Sequence, residues 1–191
     1  MTDAKPRRKI LVILLRVFFG FITVLVLFSG FVALQPPEFS ITRAATIAAP
    51  APDVFAQVND FHKWEAWSPW AKLDPAMKQA FEGPSVGTGA IYTWTGNDKV
   101  GEGRMTLTES RPSDLIRIKL DFVKPFEDTS MTEFTFKAEG AQTSVRWTMT
   151  GRKNFLSKAM CLFMDMDKLV GGDFERGLAQ MKSVVEAAPR K

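Results

Sequence analysis

A reaction in this chain of 191 residues has few side chains to start from. His62 is the only histidine and Cys161 the only cysteine. A zinc triad, a di-histidine site or a Ser-His relay therefore needs ionisable substitutes, and neither an internal disulfide nor a multi-thiolate metal site can form. Cys161 reads as a core filler instead of a nucleophile. Asp165 and Asp167 stand two apart in a helical stretch, where side chains diverge, so they do not read as a metal pair. Gly87-Thr88-Gly89 and Gly101-Glu102-Gly103 superficially suggest phosphate loops, but neither completes G-x-G-x-x-G and each precedes a strand. They read as bulges or tight strand entries. General acid or base work is left to Glu102, Glu109, Glu133 and Arg104. Strand alternation turns Arg104 outward if Met105 and Leu107 face in, and Glu133 outward if Phe134 and Phe136 face in. The expectation is no catalytic residue, no metal and no cofactor.

Apolar recognition has more material, with 16 Phe, 5 Trp and 9 Met. Trp64, Trp67 and Trp70 recur every third residue, and Trp67-Ser68-Pro69-Trp70 is too proline-broken for a continuous helix. Such a turn sets rings along the rim of a cavity or plugs one end of a core, and both alternatives stand. Tyr92 and Trp94 share one strand face. Met105, Phe122, Phe134, Trp147 and Met149 supply apolar faces elsewhere, and Met160 and Phe163 lie opposite them on the last helix. Methionine is flexible and polarizable, which suits a pocket for varied apolar ligands. These twelve residues are the candidate ligand-binding set.

The elements that must position them follow from hydrophobic period. Phe39 to Ala49 reads as a first strand, closed by Pro50 and Pro52, and a short helix runs from there to about Asp60. From His62 to Pro75 the chain is short-helical or irregular. The period then falls to two over Met77–Glu82, Gly89–Thr95, Gly101–Arg111, Leu115–Lys124, Thr129–Lys137 and Thr143–Thr150, with turn residues between, which predicts an antiparallel meander. From Asn154 to Ala188 the spacing returns to threes and fours. This predicts one long amphipathic helix, kinked or split near Gly171-Gly172, with Asp173 as a possible cap.

Charge separates the chain into two parts. Of its 25 basic and 21 acidic residues, five basic and one acidic precede Glu38, which leaves twenty of each beyond. A neutral domain has no electrostatic handle on phosphates, so nucleic acid is excluded as a partner. Ile10 to Leu34 is 25 residues long with Arg16 as its one charge, long enough to cross a hydrocarbon core of about 30 Å. Lys5, Arg7, Arg8 and Lys9 before it, against Arg43 shortly after, place the N-terminus in the cytoplasm. The division expected is a basic tail at 1–9, a transmembrane anchor at 10–34, a proline-rich tether at 35–38 and a domain at 39–188 outside the cytoplasmic membrane. A cleaved signal peptide is the competing reading, but the apolar run is long and its exit lacks an A-x-A site.

The segments VFAQVNDFHKWEAWSPWAKLDP, GTGAIYTWTGN, VGEGRMTLTESRP, KPF and LFMDMDKLVGGDFERGLAQM resemble the SRPBCC superfamily, nearest the bacterial proteins labelled polyketide cyclase/dehydrase and lipid transport. The resemblance spans about residues 39–187. It implies an α+β helix-grip fold of the START and Bet v 1 type: a curved antiparallel sheet of about seven strands around a long C-terminal helix, with a hydrophobic cavity between them. It implies little about reaction, because the fold hosts carriers, receptors, cyclases and co-chaperone activators. The expected function is a membrane-anchored binder of a hydrophobic small molecule or lipid. A cyclase- or dehydrase-like enzyme and a ligand-free interaction module at the membrane surface are the alternatives. Oligomeric state leaves no mark in the sequence.

Overall fold

The computed structural model describes residues 4–188, with side chains from Ile10 onward. The basic cluster Lys5, Arg7, Arg8 and Lys9 lies outside the described side chains. The chain divides into two compact units, one made of the stretch through Pro37 with Lys153–Met164, the other of Glu38–Arg152 with the residues from Asp165 on.

The first unit holds α1, Ala4–Leu34, and α3, Phe155–Cys161. Within α1, Ile10–Leu34 is long and apolar enough to cross a membrane or to act as a signal sequence. Asn154 starts α3 by accepting from the Ser157 amide at 2.8 Å, a side-chain cap for an otherwise orphaned donor.

The second unit begins with β1, Glu38–Ile47, then α2, Ala51–Asn59, and a 3-10 helix, Phe61–Ala66. Six strands come next: β2 Lys78–Glu82, β3 Ile91–Thr95, β4 Glu102–Arg111, β5 Leu115–Lys124, β6 Asp128–Glu139 and β7 Gln142–Arg152. With β1 they form one antiparallel sheet in the order β1-β7-β6-β5-β4-β3-β2. From β2 to β7 each strand pairs with the next, and the turns after β4, β5 and β6 are short. Gly140, in the two-residue turn from β6 to β7, has φ +65°, a conformation that suits glycine. Period-two alternation puts Met105, Leu107, Ile116, Ile118, Phe134, Phe136, Val145 and Trp147 on the buried face. The other face carries ion pairs such as Arg117 with Glu109 at 2.6 Å and Glu133 at 2.8 Å. Arg104 is exposed there too.

The last helix, α4, spans Met166–Glu186 and buries Gly171, Phe174, Gly177, Leu178, Met181 and Val185, a stripe spaced by threes and fours. The single helix expected from Asn154 to Ala188 is therefore two. The break falls at Leu162–Asp165, where Asp165 caps α4 by accepting from the Lys168 amide at 3.1 Å. Gly171 and Gly172 lie inside α4, and Asp173 pairs with Arg176 one turn on instead of capping a helix. The physical reason for Gly171 is Arg43. Its register partner on β7 is Trp147, so it shares the inner face and reaches α4, pairing with Glu175 at 2.6 Å and Asp167 at 2.8 Å. A Cβ on Gly171 would collide with that guanidinium.

Gly171→Ala is expected to lower the melting temperature of the wild-type chain. In an Arg43→Ala background the clash is gone and the same change should be neutral or stabilising by up to ~1 kcal/mol, the helix-interior advantage of alanine. Additive shifts in this double-mutant cycle, measured by thermal unfolding, would remove the steric reason for the glycine. Arg43 also holds the Asp167 carboxyl below the usual carboxylate range through its hydrogen bonds. That stabilising contribution is present at neutral pH and fades as pH falls through the lowered value.

Candidate functional site

Registered strands place paired residues on the same face, so the sheet can be read as rows. One row runs Phe81, Tyr92, Met105, Leu120 across β2 to β5, and the next runs Gln79, Trp94, Gly103, Phe122. Further along, Ile116, Phe134, Trp147 and Arg43 make a row across β5, β6, β7 and β1.

This last row is filled. Trp147 stacks on Phe134 at 4.7 Å and on Phe174 of α4 at 4.0 Å, with Trp67 edge-on at 5.8 Å. Gly177 lets α4 lie close, since a Cβ there would be 3.0 Å from the Trp147 ring and 3.1 Å from Pro69. Where this row meets the last helix, at the place the resemblance implied a cavity, Phe174, Leu178 and Met181 pack in the core cluster.

A cleft of about 290 Å³ opens at the other half of the sheet. Its floor is Tyr92, Trp94, Met105, Leu120 and Phe122, and its wall is Phe61, Trp64 and Trp70 with Met77. Its size is near the lower edge of ligand sites, which run about 300–1,000 Å³. The rows explain the opening. Gly103 contributes no side chain between Trp94 and Phe122, and the Trp94 ring lies across it, where a Cβ would be 2.5 Å away. The Trp94 indole N–H donates to the Val100 carbonyl at 2.9 Å, and that of Trp64 to the Val58 carbonyl at 3.1 Å. Both rings therefore spend their polar atom on the backbone and give carbon surface to the cleft. Asp74 ties the adjoining loops together, accepting from the Ala76 amide at 3.0 Å and the Asn97 amide at 2.7 Å.

Of the twelve candidate residues, Trp64, Trp70, Tyr92, Trp94, Met105 and Phe122 line this cleft. Trp67, Phe134, Trp147 and Met149 are buried in the core cluster and line no part of it. Trp67 is fully enclosed, its N–H donating to the Gln57 carbonyl at 3.1 Å. Met160 and Phe163 belong to the first unit and are exposed, and Cys161 is half-exposed there. Phe61, Met77, Leu120 and Val100 are lining residues outside the candidate set. Leu120 was visible in principle, since it alternates in phase with Phe122. Met77 heads the period-two stretch Met77–Glu82 but lies just before β2, which starts at Lys78.

Glu65, Asp98, Lys99 and Lys124 are the charged residues at the cleft, all exposed. Tyr92 is the titratable group within it. Burial, aided by the nearby Glu65 charge, pushes its phenol up to about 12, so at neutral pH it is a hydroxyl and not a base. Among the described residues, none hydrogen-bonds that hydroxyl. No group of three or more His, Cys, Asp and Glu side chains able to hold a metal occurs among the described residues.

Fold and site define the class, a helix-grip α+β domain with an aromatic-walled apolar cleft. Residues 38–186 match the model of the family described as polyketide cyclase / dehydrase and lipid transport, and the chain belongs to that family. Comparison with curated proteins finds no match. Solved structures share the fold at low identity. Protein MLL2253 from Mesorhizobium loti is 12% identical with a TM-score of 0.59, over 80% of this chain and 100% of its own. The Aha1 dimer from Colwellia psychrerythraea is 14% identical with a TM-score of 0.57, over 78% and 97%. Ara h 8.0201 is 11% identical with a TM-score of 0.54, over 79% and 99%.

Tyr92 is the sole tyrosine, so the near-ultraviolet tyrosinate band of the folded chain reports it alone. Its midpoint is expected near 12, above the value of about 10 for an unburied phenol. Because the neutral form is favoured in the folded state, this contribution to stability is full below about 10 and is lost as pH rises toward the folded value. A midpoint at the ordinary value would mean the cleft floor is wet.

Proposed function

We propose that the chain is a membrane-anchored binding protein that holds a hydrophobic small molecule or lipid segment in the β2–β5 cleft. The observation that carries this reading is the cleft wall itself, where the Trp64 and Trp94 N–H groups are tied off internally and their ring carbon faces the opening. Binding would be driven by desolvation of apolar surface, at ~25 cal/mol per Å² before the cost of ordering the ligand. The Tyr92 hydroxyl supplies one neutral donor for a ligand oxygen at the cleft floor, which orients without demanding charge. The cyclase or dehydrase reading has Glu65 and Tyr92 as its ionisable pair. A phenol raised to about 12 is a proton donor and not a base at neutral pH, so such a reaction would have to take its base from Glu65, exposed at the cleft.

Filling the cleft is a cleaner test than truncating its wall. The uncharged probe N-phenylnaphthylamine should brighten on adding the wild-type chain, and Leu120→Trp should weaken its binding at least tenfold, an effect of ~1.4 kcal/mol. Overpacking costs about 1–3 kcal/mol of stability, so cooperative unfolding of the variant is checked alongside. A folded wild-type chain that takes up neither this probe nor any lipid from a membrane extract would sink the carrier reading in favour of an interaction module. Recovery of a chemically altered ligand by mass spectrometry would favour the enzyme.

The anchor is read as uncleaved, with the N-terminus cytoplasmic and the helix-grip domain outside. Lys5, Arg7, Arg8 and Lys9 against Arg43 support this orientation. Protease added to spheroplasts should remove the C-terminal domain and leave a membrane-bound N-terminal fragment. Protection until lysis would reverse the topology, and a released domain with a new N-terminus near residue 35 would make the helix a signal peptide.

A further inference from the structure

We infer that Phe155–Met164 is a second membrane contact, an interfacial segment whose apolar side lies in the bilayer that α1 crosses; this rests on α1 being a span. The first observation is an inverted face. Phe155, Leu156, Met160, Phe163 and Met164 are 53%, 52%, 39%, 80% and 44% exposed. Their spacing, 156-160-164 and 155-163, puts them on one side of a helical path. Ser157, Lys158, Cys161 and Leu162, on the other side, are half-buried, as is the small Ala159 between Phe155 and Phe163. A segment meant for water hides its apolar side and shows its polar side, and this one does the reverse.

The second observation is depth. The Phe163 ring packs against Phe28 of α1, with centroids 6.5 Å apart. Phe28 precedes the end of α1 at Leu34 by six residues, which at 1.5 Å per residue is about 9 Å along the helix. With charged Arg16 drawn toward the opposite headgroups, the uncharged run from Val17 to Leu34 spans ~27 Å, close to the hydrocarbon thickness. Phe28 is then below the outer hydrocarbon boundary, and the ring touching it cannot be in bulk water. An amphipathic segment lying in the interface buries its apolar side by about 5–10 Å, which matches that depth.

The third observation concerns the end of α1. The Lys158 ammonium donates to the Ala33 carbonyl at 3.1 Å, and the Lys153 amide donates to the Pro37 carbonyl at 2.6 Å. A helix ending at a membrane surface has carbonyls that lack intrahelical partners, and a lysine there both satisfies one and suits the negative end of the helix dipole. These bonds fix the segment beside the exit point of α1, so its exposed side is continuous with the exposed apolar side chains of α1, including Phe28 and Phe31. Whatever solvates one must solvate the other, and for a spanning α1 that solvent is lipid.

The test uses the full-length chain in bilayers of phosphatidylethanolamine and phosphatidylglycerol in equal amounts. A nitroxide is attached in a Cys161→Ser background through Phe155→Cys, Met160→Cys or Phe163→Cys, with Val24→Cys reporting the span and Lys137→Cys reporting water. Oxygen, which concentrates in lipid, should relax the labels at 155, 160 and 163 more than a water-soluble nickel chelate does, and the order should reverse at 137. A label at 24 in lipid with 155, 160 and 163 in water overturns the inference while the anchor stands. A label at 24 in water overturns the anchor and the inference with it. Spin–spin broadening at 163 that disappears on dilution with unlabelled chain would assign the face to a second copy. Shielding from both oxygen and nickel would assign it to protein.

Discussion

The fold turns on one aromatic column. Trp147 lies between Phe134 and Phe174 at stacking distance, with Trp67 and Trp64 edge-on to it. Its members come from β6, β7, α4 and the tryptophan-rich stretch, so a single contact set binds the sheet, the last helix and the connecting loop. Offset and edge-on aromatic pairs add about 0.5–1.5 kcal/mol each beyond the area they bury. Close-packed interiors leave no slack around such a set. Everything nearby adapts to it: α4 carries Gly177 where the Trp147 ring needs room, and Gly171 where Arg43 must pass.

A filled column on one half of the sheet decides where space can exist on the other. The last helix packs on β1, α2 and the 3-10 helix, and the inner face of β2 to β5 is left to the Trp64–Met77 stretch. That stretch is irregular, and the cleft lies between it and the floor, with the Trp94 ring lying across Gly103. The cleft is thus a product of unequal coverage. Trp64 and Trp70 serve both sides, Trp70 reaching Trp147 at 6.0 Å while lining the opening. The alternatives of rim and plug left open by their spacing are both realised, Trp67 as plug and its neighbours as rim.

How much of this was legible depends on range. Ile116, Ile118, Leu120 and Phe122 announce their common face by alternation, because a strand's period is a local property. Whether a residue on that face meets packing or space is not local. Phe134 and Phe122 look alike in sequence, yet Phe134 meets Trp147 and Phe122 meets the cleft, since only the first lies in the row that α4 and Trp67 reach. The C-terminal region misled for a related reason. Phe155, Ala159 and Phe163 keep helical phase with the apolar stripe of α4, so periodicity carries straight through the break. The available signal was Asp165, a capping residue, while Gly171, the first of the paired glycines that looked like a hinge, answers to Arg43 more than a hundred residues away.

The same alternation that builds the cleft also keeps several strand charges off its floor. Arg104, Arg117, Lys119 and Glu133 occupy the outer face of their strands, where Arg117 binds Glu109 and Glu133 in exposed pairs. Such pairs contribute little stability, and they keep the outer face wet so that the inner one can be dry. A charge turned into the cleft floor would lie against aromatic and aliphatic carbon, which disfavours the ionised form. Tyr92 shows the outcome: the one ionisable group held within the floor keeps its proton to about 12. A cleft built this way offers shape, dry carbon surface and one hydroxyl. Exchanging a floor residue such as Met105 or Leu120 would reshape the opening without touching the aromatic column that holds the fold.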